Sequence, residues 1–226
     1  MSRLLLIGGG DFVNRTIKPF DDFIFSKVNK DNPCVCYIPC ASLDKESNIN
    51  SFVNIYENEL KAKVKVITLT KESYEDLESI ILSSDLIYIG GGNTKIMLEY
   101  FYRFGVDKIL AKAMEKNIFI AGISAGAICF FDGCYTDSDA YMDNFNYYNF
   151  KMIKGLGFFH FNCCPHYDEN GKESFDKYGG IALENNSALY IEDDSYLALG
   201  IKGGTAYFIK PKKIIPLKKG ALSCLN

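Results

Sequence analysis

The first 125 residues contain five short apolar runs, and four of them stop abruptly at a glycine or a proline. Arg3–Ile7 empties into Gly8-Gly9-Gly10, Cys34–Ile38 into Pro39, Asp85–Ile89 into Gly90-Gly91-Gly92, and Ile118–Ala121 into Gly122. The fifth, Val64–Leu69, follows a stretch with helical character from about Lys45 to Leu60. Continuous apolar runs of this length are how strands buried on both faces look, the condition of a strand inside a parallel sheet. Between them lie segments with helical spacing, such as Ile96, Leu98 and Phe101, or Ile109, Leu110, Ala113 and Met114. Strand and helix alternating in this way imply right-handed crossovers that put helices on both faces of the sheet. The expected fold is α/β, a three-layer sandwich around a mostly parallel sheet.

From about Ala182 the pattern changes. Leu189–Ile191, Tyr196–Leu199, Ala206–Ile209 and Lys213–Pro216 are short strand-like runs separated by Asp-Asp and Gly-Gly turns. They read as C-terminal antiparallel hairpins that continue the sheet. No linker, repeat or low-complexity tract interrupts the 226 residues, so a single domain over 1–226 is expected.

The formal net charge of −3 and a pI near 5.5 give no electrostatic footprint for nucleic acid or an anionic membrane. Lys210, Lys212, Lys213, Lys218 and Lys219 gather near the C-terminus, but they alternate with Ile214, Ile215 and Leu217, which is the pattern of a solvated strand face. The apolar run at the N-terminus is too short for a signal-peptide core, and no stretch approaches a membrane span. A cytoplasmic protein with no nucleic-acid or membrane partner is expected, a monomer or a homodimer paired through an edge strand of the hairpins. The eight cysteines are read as reduced, and most of them as buried, small hydrophobes. None shows Cys-x-x-Cys spacing, and no metal site is expected.

Gly122-Ile123-Ser124-Ala125-Gly126 follows the last of the five runs and precedes Ala127-Ile128-Cys129, so Ser124 sits at a strand-to-helix turn. A nucleophile at such an elbow occupies a strained backbone conformation, and small neighbours let the surrounding chain pass. The helix start also offers free N–H groups where an oxyanion would form. Gly90-Gly91-Gly92-Asn93-Thr94 ends the preceding strand, and loops at the carboxyl ends of parallel strands share one edge. A glycine there can turn its N–H toward the carbonyl under attack, beside that of Ala125. Neither this loop nor Gly8-Gly9-Gly10-Asp11 has the spacing of a phosphate or dinucleotide fingerprint, so no cofactor is expected.

A serine nucleophile needs a base, and the chain has two histidines. His160 lies in the apolar run Phe158–Phe161, where a satisfied structural histidine is the default. His166 follows Cys163-Cys164-Pro165 at the end of a strand, where catalytic groups gather, and is the favoured base. For the acid behind it, Asp137, Asp139, Glu192, Asp193 and Asp194 all remain open.

Tyr88–Thr94, Gly122–Ala127 and Pro165-His166 together resemble the peptidase E and cyanophycinase group, the serine peptidases of family S51, in order and at similar intervals over most of the chain. The resemblance implies a fold similar to class I glutamine amidotransferases, with Ser124 and His166 catalytic and Gly92 and Ala125 forming the oxyanion hole. It also implies Asp139 as the acid, with Glu192 the alternative. Cys164 stands where the family often has Asn, and Ile123 where peptidase E often has Trp. The implied substrate is a small peptide, cleaved by an exopeptidase or dipeptidase, with an N-terminal aspartyl residue in peptidase E. That preference calls for cations near the acyl side, for which Arg15 and Lys18 are the candidates. The competing readings are a non-catalytic ligand-binding or sensory module on the same fold, and a thiol enzyme using Cys129 or Cys164.

Overall fold

The computed structural model of the protein describes residues 2–12, 14–71, 74–139 and 149–225. In chain order the strands are β1 (Arg3–Ile7), β2 (Cys34–Ile38), β3 (Lys63–Val66), β4 (Leu86–Ile89), β5 (Phe119–Ile123), β6 (Phe131–Thr136), β7 (Lys151–Lys154), β8 (Phe159–Cys164), β9 (Gly180–Leu183), β10 (Ser187–Glu192), β11 (Ser195–Gly200), β12 (Ala206–Lys210), β13 (Lys213–Pro216) and β14 (Lys219–Ala221). The helices are α1 (Lys18–Val28), α2 (Glu46–Val53), α3 (Leu77–Leu82), α4 (Thr94–Phe104), α5 (Val106–Glu115) and α6 (Ala125–Ile128).

An eight-stranded sheet has the order β14-β11-β10-β1-β5-β4-β2-β3. Its β1, β5, β4, β2 and β3 are the five apolar runs, and they pair in parallel. Side chains alternate across it. Leu4 and Leu6 enter one core cluster with Ile87, Ile89, Met97, Phe101 and Leu110, whereas Leu5 and Ile7 enter another with Phe20, Ile24, Phe52 and Tyr56. Both faces are thus dry along β1, β2, β4 and β5, which is why those runs lack polar alternation, whereas β3 at the sheet edge alternates Lys63 and Lys65 with Val64 and Val66. Helix ends follow local chemistry. Asn93 caps α4 by accepting from the Ile96 N–H at 3.0 Å, and Gly105, at φ 70°, ends it.

The C-terminal strands divide between two sheets. β10, β11 and β14 extend the main sheet antiparallel beyond β1, as the hairpin pattern suggests. β12 and β13 instead join a second, six-stranded sheet of order β13-β12-β9-β8-β6-β7, whose β6–β8 and β8–β9 pairs are parallel. Phe131, Cys163, Ile181 and Phe208 carry the first core cluster into this sheet.

The site is positioned by close backbone contact below the elbow. A Cβ on Gly122 would lie 2.1 Å from the Gly126 oxygen, and one on Gly126 would lie 2.3 Å from the Ile89 oxygen. These glycines let α6 start directly against β4 and β5. α6 is a single turn, so it offers free N–H groups rather than a long dipole. Gly122→Ala is expected to destabilise the protein by about 2–3 kcal/mol through overpacking against backbone that cannot yield. Urea denaturation reads this directly; a midpoint equal to that of the wild type would mean that α6 can shift.

Candidate active site

Ser124 has φ 54° and ψ −115°, a strained conformation for a non-glycine residue. Two contacts hold it. Its N–H donates to the Ile7 carbonyl at 2.9 Å, extending the β1–β5 ladder, and its carbonyl accepts from Ala127 and Ile128 at 2.9 and 3.0 Å. Its side chain faces a cleft of about 410 Å³.

Across from it stands His166, just past β8, itself at φ 51°. Its N–H donates to the Gly8 carbonyl at 3.3 Å, which ties a residue that follows the second sheet to the edge of the first. Nε2 of His166 lies 2.9 Å from Ser124 Oγ. Nδ1 lies 2.7 Å from Oδ1 of Asn185 and 3.3 Å from Oε1 of Glu169. The glycine loop runs beside the nucleophile: a Cβ on Gly91 would be 3.3 Å from that of Ser124. Gly92, at φ 140°, packs so closely on Ala41 that a Cβ would lie 2.3 Å from its carbonyl oxygen. Asn93 Nδ2 donates to the Ser138 carbonyl at 2.8 Å, fixing the loop to the chain that leaves β6. Ala125 opens α6, so its N–H has no intrahelical acceptor.

The structure therefore brings Ser124, His166, Gly92 and Ala125 to one edge. Asp139 is a correction. Its carboxylate pairs with Lys151 at 2.8 Å and Lys95 at 3.6 Å, and the group facing His166 Nδ1 is Asn185. The hydrogen bond from Lys151 holds the Asp139 carboxyl below the usual carboxylate range. Glu192 is also remote, since it pairs in register with Arg3 at the far end of β1. Asp137 lines the cleft. His160, read from its apolar run as a satisfied structural histidine, is exposed and faces Asp132 at 3.2 Å.

Arg15 is bound to Asp21 at 2.6 Å and Glu59 at 3.2 Å, and Lys18 to Asp22 at 2.7 Å, so neither is a free cation for the cleft. Among the described residues, the lysine that lines the cleft is Lys172, only 3% exposed, with Nζ 4.1 Å from the Phe150 ring centroid. Burial lowers its pKa. Cys129 and Cys164 are fully buried; burial pushes the first thiol well up and the second to about 12, which removes the thiolate that a thiol enzyme needs.

Two walls line the cleft. The main-sheet side presents Phe12, Tyr37, Phe52 and Tyr88, in which Tyr37 and Phe52 stack at 3.8 Å between centroids. The second-sheet side presents Asp137, Glu169 and Lys172. Sequence reading missed Asn185 and Lys172, because an asparagine in a turn and a lysine before a glutamate carry no distinguishing pattern.

The model of peptidase family S51 matches residues 4–199. The chain belongs to peptidase family S51. This S51 protein is thus a serine peptidase, a hydrolase. It is similar to the uncharacterized peptidase YgaJ of Bacillus subtilis strain 168, at 34% identity over 218 residues and 90% of each chain. It is also similar to the uncharacterized peptidase PM1590 of Pasteurella multocida strain Pm70, at 23% identity over 196 residues, 80% of this chain and 92% of that one. A crystal structure of a peptidase from an acI-B1 actinobacterium matches with a TM-score of 0.76, over 98% of this chain and 97% of that one. At 15% identity that likeness is one of fold, and it agrees with the α/β sandwich described above.

Gly9 packs directly against the side chains of His166 and Asn185. A Cβ there would lie 2.3 Å from Asn185 Oδ1 and 2.3 Å from both Nδ1 and Cε1 of His166. Gly9→Ala of the S51 peptidase is expected to push the imidazole out of line and slow fluorophosphonate labelling of Ser124 at least about tenfold. Labelling at the wild-type rate would show that the imidazole has room to retreat.

Proposed function

We propose that the protein is a cytoplasmic serine exopeptidase that hydrolyses small peptides, dipeptides with an acidic first residue foremost. The observation that carries this is the 2.9 Å approach of His166 Nε2 to Ser124 Oγ at the mouth of a cleft sized for a small substrate. His166 takes the serine proton as Oγ attacks the scissile carbonyl, and the carbon–oxygen bond forms. The N–H groups of Gly92 and Ala125 receive the oxyanion, worth about 3 kcal/mol of barrier for each donor. As the carbon–nitrogen bond breaks, His166 returns the proton to the leaving amine. Water then attacks the acyl-enzyme with His166 again as base, releasing the acid and restoring Ser124.

The charged wall supports the finer specificity. Lys172 is a buried ammonium with no ion-pair partner among the described residues, a state that a substrate carboxylate would relieve. Asp137 and Glu169 offer carboxylates for the free ammonium of a first residue. A protein substrate has no such ammonium at an internal bond, which favours exopeptidase action. Eight free cysteines suit the reducing cytoplasm.

A dipeptide library digested by wild type and by Ser124→Ala tests the reaction. Cleavage by the first and none by the second is expected; no cleavage of any dipeptide by the wild type would sink the reading. Lys172→Met is expected to raise KM for Asp-X substrates about tenfold or more, while leaving neutral first residues less affected. The lowered pKa of Lys172 adds a pH signature. Its charge is lost at a lower pH than that of an exposed lysine, so KM for Asp-X should begin to climb on the alkaline side before any effect on neutral substrates.

A further inference from the structure

Asn185 lies in the turn between β9 and β10, and each polar atom of its side chain has a partner. Oδ1 faces His166 Nδ1 at 2.7 Å. Nδ2 lies 3.1 Å from Oδ1 of Asp168 and 3.1 Å from Oε1 of Glu169. The backbone N–H of Asn185 also donates to Asp168 Oδ1, at 2.7 Å. Ionised carboxylates only accept hydrogen bonds, so the amide cannot be turned over: a flip would set its oxygen against two carboxylates. With Nδ2 committed to the acids, Oδ1 must face the imidazole, and an amide oxygen also only accepts. The hydrogen of neutral His166 is therefore on Nδ1, which leaves the lone pair of Nε2 aimed at Ser124 Oγ.

We propose that Asn185 is the positioning residue of this site, filling the place of an acid behind His166, with Asp168 and Glu169 supplying negative charge one hydrogen bond further back. The proposal rests on the Ser124–His166 reading of the preceding section. The surroundings also account for an amide at this position. A carboxylate at 185 would stand against two others at hydrogen-bond distance, and three such groups cannot all ionise. Glu169 has a second part to play. At 3.3 Å from Nδ1, its carboxylate faces the imidazolium that forms when the serine proton is taken up. The neutral amide thus fixes the tautomer before the reaction, and the charges behind and beside it stabilise the cation during it. Gly9 makes the arrangement possible, because any side chain there would occupy the space of the His166–Asn185 bond.

The test combines a spectrum and a rate. With two histidines in the chain, 15N-histidine labelling gives two imidazoles, and His160→Asn identifies the signals of His166. In wild type, neutral His166 is expected as the Nδ1–H tautomer, and in Asn185→Ala it is expected to revert to the Nε2–H form that predominates in free histidine. Fluorophosphonate labelling of Ser124 is expected to fall at least tenfold in Asn185→Ala. It is expected to fall in Asn185→Asp as well, and to recover when Asp168→Asn and Glu169→Gln accompany Asn185→Asp. An Nε2–H tautomer in wild type, or undiminished labelling of Asn185→Ala, would overturn the proposal while leaving the serine peptidase reading intact. A wild type that labels slowly or not at all, yet shows the Nδ1–H tautomer, would instead remove the catalytic reading and leave the amide contact standing as structure. Should Asn185→Ala fail to fold, the wild-type tautomer alone decides.

Discussion

Backbone packed on backbone, with no side chain between, is the constraint on which the site depends. Three loops meet at the carboxyl edge of the main sheet: Gly8–Gly10 after β1, Gly90–Gly92 after β4, and the Gly122–Gly126 elbow after β5. At Gly8, Gly92 and Gly126 an added methyl group would sit within 2.5 Å of a carbonyl oxygen from another segment, and at Gly122 it would sit as close to the Gly126 oxygen of the elbow itself. Such contacts are shorter than any side chain allows, and they are what bring a serine on one strand, a histidine after another and an amide in a distant turn within hydrogen-bond reach. Dry strands on both faces of the sheet supply the rigidity that keeps the three loops from separating.

Much of this arrangement was legible in the residues themselves. Unbroken apolar runs ending in glycine are a direct imprint of parallel strands, and all five runs lie in the main sheet. The proximity of Ser124 and His166 was legible for a different reason: a chain with two histidines offers few partners, and one of them follows a strand that a proline ends. The division of later strands between two sheets was not legible. β10 and β12 have the same local pattern, and which sheet each joins is decided by pairings more than 100 residues apart in one case, and by a parallel β8–β9 neighbour in the other.

The position behind His166 was misjudged for a physical reason. The family resemblance implied Asp139, but the chain after β6 turns its carboxylate toward Lys95 and Lys151. Glu184-Asn185-Asn186 reads as an ordinary turn, since asparagine is at home in turns whatever else it does. Only the approach of the turn to Gly9 distinguishes Asn185, and that approach joins residues far apart in sequence. Lys172 escaped notice for a similar reason. Lysine is ordinarily solvated, and its burial against Phe150 and Tyr135 depends on aromatic residues from other segments.

The two sheets divide the chemical labour between them. Ser124 leaves the main sheet at β5, His166 leaves the second sheet at β8, and Asn185 sits where the chain crosses from β9 of the second sheet to β10 of the main one. The hydrogen bonds Ser124–His166 and His166–Asn185 consequently join elements of the two sheets. Sliding of one sheet along the other by about 1 Å would leave every strand ladder intact and yet carry the imidazole out of line. The Ser124–His166 approach is then a gauge of how the two sheets are docked, one that the strand ladders within each sheet do not register.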